Sequence, residues 1–146
     1  MKLIHKILKQ MHENFAVFFP PSDAITIQKL SVALVKNGFS KIPADYVSFL
    51  QETDGMAYNG LELYGIQLHE RDNGSFYHTS LITASENQIQ NPLLKGKLII
   101  GNAPEILIVY NAQNKQYELV CRYTYATLLQ LPRFFDVLYY FCPENK

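Results

Sequence analysis

The hydrophobic period of this chain changes twice. Apolar residues recur every three or four positions up to about residue 55. From Leu61 to Tyr123 they alternate or cluster in short β-rich runs, and from Leu131 the helical spacing returns. Blocks of helix, strand and helix, kept apart in this way, argue for an α+β fold. The expected architecture is a mostly antiparallel, twisted sheet with helices packed on one side, drawn from N-terminal helices and a C-terminal helix. A length of 146 residues suits a single domain spanning 1–146, large enough to bury a core without covalent staples.

Individual segments follow from spacing and punctuation. Leu3, Ile4, Ile7, Leu8 and Met11 form one stripe, with Lys2, His5, Lys6, Lys9 and His12 on the other faces. A basic amphipathic helix can lie on a membrane, but a stripe this short fits a helix docked on the core better. Phe15–Phe19 is an apolar run that Pro20 and Pro21 force into an extended link, so residues 1–21 read as an amphipathic helix and a linker. Ser22 or Asp23 caps a helix that runs to about Asn37 and stops at Gly38, with Ile25, Ile27, Leu30 and Leu34 on its buried side. A third helix begins near Pro43, puts Tyr46, Phe49 and Leu50 on one face, and ends at Gly55.

An aromatic-rich loop then leads to LELYGIQL, residues 61–68, a strand pattern with a bend at Gly65. Asp72-Asn73-Gly74 signals a hairpin turn. Ser80–Asn91 reads as a short helix or loop before Pro92. KLIIG (97–101), EILIVY (105–110) and YELVCRY (117–123) are strands, the last two joined through Asn111–Gln116. LPRFFDVLYYF (131–141) is a helix with Phe134, Phe135, Leu138 and Phe141 as its buried stripe.

Charge and composition exclude several classes of function. The chain is neutral overall, but residues 1–41 carry +4, residues 42–90 carry −6 and residues 91–146 carry +2. An acidic central third is the opposite of what phosphate neutralisation needs, so no nucleic acid is expected; a basic partner or an ordinary solvated face fits it. No apolar run reaches the roughly 20 residues of a membrane span, and the N-terminus does not look like a secretion signal. Cys121 and Cys142 are the only cysteines, read as buried thiols of a cytoplasmic protein.

Reaction chemistry is hard to find. Nucleotide loops of the GxGxxG or GK[ST] type and a GxSxG elbow are absent. If Asn73-Gly74 is a two-residue turn, His69 stands opposite His78 on one face of a ribbon. Two imidazoles can share a zinc or copper ion, but a tight site needs a third or fourth ligand, so a solvent-facing cross-strand pair is the simpler reading. Asp45, Glu52, Asp54 and Glu62 are candidate acids and bases, yet nothing in the spacing fixes their separation. No catalytic residue, metal set or cofactor is assigned.

The order Ile42-Pro43-Ala44-Asp45-Tyr46, Phe49-Leu50, Asp54-Gly55 and Leu61-Glu62-Leu63-Tyr64-Gly65 resembles the core motif of the SUKH superfamily. LIIGNAPEILIVYN, YELVCRY and LPRFFDVLYYF look like that family's later strand hairpin and terminal helix, so the likeness covers most of residues 22–142. This chain departs from the pattern in having no Trp, in carrying Asp54 where Asn is commoner, and in Asn102-Ala103-Pro104 before the strand at 105. The superfamily includes fungal regulators of cell-wall glucan synthesis and many bacterial toxin-immunity proteins. The resemblance implies a non-enzymatic domain that binds a protein, either blocking a toxin effector domain or serving as a regulatory scaffold. A small metal- or carboxylate-dependent enzyme is the contrasting reading. Tyr is favoured at interfaces, which singles out Glu52, Asp54, Tyr58, Glu62 and Tyr64 as a contact patch for a basic partner; core packing is the competing role for the two tyrosines.

Overall fold

The stripe Ile4, Ile7, Leu8 and Met11 is buried along its length, and this burial holds the first helix, α1 (Lys2–Glu13), on the core. The structure, a computed structural model, describes residues 2–71, 76–88 and 90–142, without the side chains of residues 2, 3, 71, 76 and 77. The Asp72-Asn73-Gly74 turn and the side chain of Leu3 lie outside the described residues.

After the two-residue strand β1 (Val17–Phe18), Asp23 caps α2 (Ala24–Lys36) by accepting from the Thr26 amide at 2.8 Å. Ser22, the other capping candidate, donates to Asp54 instead. This start puts Ile27, Ser31 and Leu34 on the buried side, with Leu30 half-buried. Ile25 is 70% exposed, contrary to expectation, because it is two residues out of step with Ile27. Gly38 leaves the helix at φ +88°, the left-handed stop the sequence predicts.

Pro43 precedes α3 (Ala44–Leu50), which buries Tyr46, Phe49 and Leu50. It stops before Gly55, and Gly55 instead turns the chain, at φ +94°, into strand β2 (Met56–Tyr58). The segment expected to be a loop is therefore a strand. It pairs with β3 (Leu61–Leu63) around Asn59 and Gly60, both at positive φ. An Asn-Gly pair with two left-handed residues matches the twist of a two-residue hairpin.

Next come β4 (His69–Arg71), β5 (Phe76–His78), α4 (Leu81–Glu86), a 3-10 turn at Pro92–Leu94, and strands β6 (Leu98–Ala103), β7 (Ile106–Asn111) and β8 (Gln116–Cys121). A further strand, β9 (Thr127–Leu131), precedes α5 (Phe134–Phe141). Seven strands make one antiparallel sheet in the order β1-β2-β3-β6-β7-β8-β9, and β4-β5 form a separate ribbon. The α+β class and the antiparallel sheet are as the sequence predicts. Cys121 ends β8 half-buried rather than lying inside a strand core; Cys142 is buried.

Alternation along β8 separates the two faces of the sheet. Tyr117 points toward α3 and α5, where its ring lies 5.8 Å from Phe134, and Phe134 lies 4.9 Å from both Tyr46 and Phe49. The stripe of α5 is Phe134, Val137 and Leu138, with Phe135 and Phe141 only half-buried. Glu118 points the other way, in register with Val109 and Ile99. That second face is not bare: Ala84 of α4 shares a cavity with Ile99 and Leu107.

Candidate protein-binding surface

Two carboxylates of the acidic third, Asp54 and Asp45, are spent on internal contacts, while Glu70 and Glu86 are exposed. Asp54 is 2% exposed. Its carboxylate accepts from Ser22 Oγ at 2.5 Å, from the Ile66 and Gln67 amides at 2.7 and 3.1 Å, and lies 2.7 Å from His69 Nε2. It ties the linker before α2, the turn after β3 and the β4-β5 ribbon into one clasp. The clasp explains the Tyr64-Gly65 pair, since a Cβ on Gly65 would sit 2.3 Å from the Asp54 carbonyl oxygen. Asp45 makes a second clasp, accepting from Tyr117 Oη and, at 2.7 Å, from the Phe134 amide at the start of α5. Tyr64 is buried, its hydroxyl accepting from Asn102 Nδ2. Asp54 and Tyr64 are therefore engaged within the fold and not displayed on its outer surface.

His69 and His78 do stand opposite each other in the β4-β5 ribbon. The pair does not face solvent. Phe19 takes both rings, His69 stacked parallel at 4.3 Å and His78 tilted at 5.0 Å. The Nε2 of His69 meets Asp54, and that of His78 donates to the Leu63 carbonyl at 2.6 Å. Among the described residues no group of three His, Cys, Asp or Glu side chains is placed to hold a metal.

Glu52, Tyr58 and Glu62 remain at the surface in different places. Glu52 is 42% exposed and lies 3.0 Å from His5 Nε2 on α1. Tyr58 is half-buried and directs its hydroxyl at Cys142 Sγ, 3.7 Å away. Glu62 is paired with Ala57 and so lies on the opposite face from Tyr58, where Asn102 donates to it at 3.2 Å. The five predicted residues thus do not form one patch.

A different residue gathers two of them. Helix α1 ends with the Ala16 amide donating to the Met11 carbonyl at 3.0 Å and the Phe15 amide to the His12 carbonyl at 3.2 Å. This is a Schellman ending, with Phe15 in the left-handed position that glycine usually fills. Phe15 sits at φ +71° and is 93% exposed. Beside it lies a cleft of about 190 Å³ that includes Val17, Ala57, Tyr58 and Glu62. Val17, Ala57 and Glu62 are neighbours across three strands, so the small Ala57 leaves a floor between a valine and a carboxylate. The Phe15–Phe19 run marks an apolar segment in the sequence; what it does not reveal is that its first residue is a helix stop.

No protein-family model matches the chain, and no curated protein shows a significant match.

The cleft has Phe15 as an apolar wall and Glu62 at its rim. Main-chain extension of the sheet is limited, because β1 is two residues long and Pro20 and Pro21 follow closely without amide protons.

Proposed function

We propose that this protein is a non-enzymatic, protein-binding domain that acts by occlusion, of the immunity kind its SUKH-like motifs suggest, working in the cytoplasm on a toxin effector domain. The observation that carries the reading is Phe15. A large aromatic side chain, almost fully exposed, occupies a backbone conformation that costs about 1–2 kcal/mol for any residue but glycine. Folding gains nothing from that arrangement, whereas an aromatic anchor entering a partner's pocket gains about 2 kcal/mol or more. Glu62, which lines the cleft beside Phe15, favours a basic partner. No helix among the described residues is long and apolar enough to cross a membrane.

The test is protection. Cells expressing a toxin domain encoded beside this protein's gene are co-transformed with the wild type or with Phe15→Asp and Glu62→Lys variants. Growth restored by the wild type and lost in Phe15→Asp supports the proposal. Equal protection by the variant contradicts the assigned surface, and absence of protection by the wild type contradicts the immunity role. Stable capture of a host regulator instead would favour the scaffold role.

A further inference from the structure

The face of the sheet under α4 holds a cavity of about 290 Å³ that is separate from the cleft beside Phe15 and plays no part in the proposed occlusion. Ile99 and Leu107 contribute apolar lining, and Arg122, Tyr64, Tyr125 and Asn87 bring polar groups to the same space. Arg122 follows β8, and its backbone is fixed by its amide, which donates to the Glu105 carbonyl at 3.0 Å. Among the described residues its guanidinium has neither an ion pair nor a side-chain hydrogen bond. Tyr64 accepts from Asn102, which leaves the hydroxyl's own proton for an acceptor in the cavity. Burial raises the pKa of Tyr64, so that proton stays in place at neutral pH. Tyr125 lines the same space from a left-handed backbone position at φ +61°, held by its amide donating to the Cys121 carbonyl at 2.8 Å. Strained residues of this kind gather where a ligand is gripped.

We propose that this cavity binds a carboxylate carried on a short apolar body. The fork of one arginine matches one carboxylate, a tyrosine proton completes the acceptor's shell, and Ile99 and Leu107 receive the body. Drug-sized ligands occupy pockets of about 300–1,000 Å³, so this one suits a residue-sized group. Such a group can be a small free acid or the C-terminal residue of a peptide.

Methyl NMR of Ile99 and Leu107 in the full chain tests the proposal, with isovalerate and isovaleramide as one matched pair and N-acetyl-leucine and N-acetyl-leucinamide as the other. A saturable shift with at least one acid, and none with its neutral amide, supports it. The tighter acid then tells the free source from the peptide source. Arg122→Gln should weaken that binding about tenfold or more, and Arg122→Lys, which keeps the charge and loses the fork, should weaken it less. Thermal unfolding of both variants checks that they are folded, as the exposure of Arg122 predicts. No saturable shift with either acid, equal response to the amides, or full binding in Arg122→Gln would overturn it.

Discussion

Phe15 holds a backbone conformation that glycine holds with less strain, and this separates its effect on folding from the binding role proposed for it. Phe15→Gly should raise stability by about 1 kcal/mol, a shift of roughly 2–4 °C in midpoint for a chain of this size; scanning calorimetry reads it. A lower midpoint would mean that the ring packs on the fold after all. Asp54 is the opposite case, a carboxylate with no surface role and four partners. Its removal in Asp54→Ala leaves two amides, a hydroxyl and an imidazole without their acceptor, and should cost about 3–5 kcal/mol in urea unfolding. A loss below about 1 kcal/mol would show that water replaces the carboxylate freely.

At the scale of elements, regular period is what the sequence makes legible. The stripe of α1, the Asp23 cap of α2, the aromatic face of α3, the strands β6 to β8 and the His69–His78 register all follow from spacing or turn chemistry. Two strands do not. Met56–Tyr58 is too short to show alternation, although Asn59-Gly60 behind it is a hairpin signal that marks it. Thr127–Leu131 is apolar without alternation and merges with the helix that follows; a bulge between its pairings to Leu119 and Val120 breaks its period further. The clasps at Asp45 and Asp54 were illegible because their partners lie far away in the chain, and a cluster of carboxylates in sequence looks the same whether it is solvated or buried. Glu118 of β8 is a third such case. Burial pushes its carboxyl pKa up, but bonds from Lys97 at 2.7 Å and from Asn111 and Gln130 at 3.1 Å outweigh this and hold it below the ordinary value. A depressed folded-state pKa stabilises the protein above the ordinary glutamate value of 4.5, and that contribution is lost as pH falls through the lower folded value. Urea midpoints followed from pH 7 to pH 3 should therefore fall less steeply at the acid end for Glu118→Gln than for the wild type. Parallel slopes would mean that the cluster does not govern this window.

Across the whole molecule, the charge asymmetry that reads as an acidic surface is divided between buried and exposed groups, with Glu70 and Glu86 among the exposed ones. Asp45, Asp54 and Glu118 hold elements together, Glu52 meets His5, and Glu62 is the acidic group that lines the exposed cleft. The expected acidic face becomes a narrower site, an aromatic edge with one carboxylate at its rim. Under the proposed function this edge is the anchor of a larger footprint, since a tight complex buries roughly 1,200–2,000 Å², and its removal should weaken such a complex by about tenfold or more without abolishing the rest of the contact. The most direct measurement is a paired affinity capture from the native host with wild-type and Phe15→Gly protein, quantified by mass spectrometry. The prediction is a protein partner retained at least about tenfold better by the wild type, while the variant is the more stable of the two. Equal retention on both, or no protein retained on either, would contradict a molecule that works by covering a partner through Phe15.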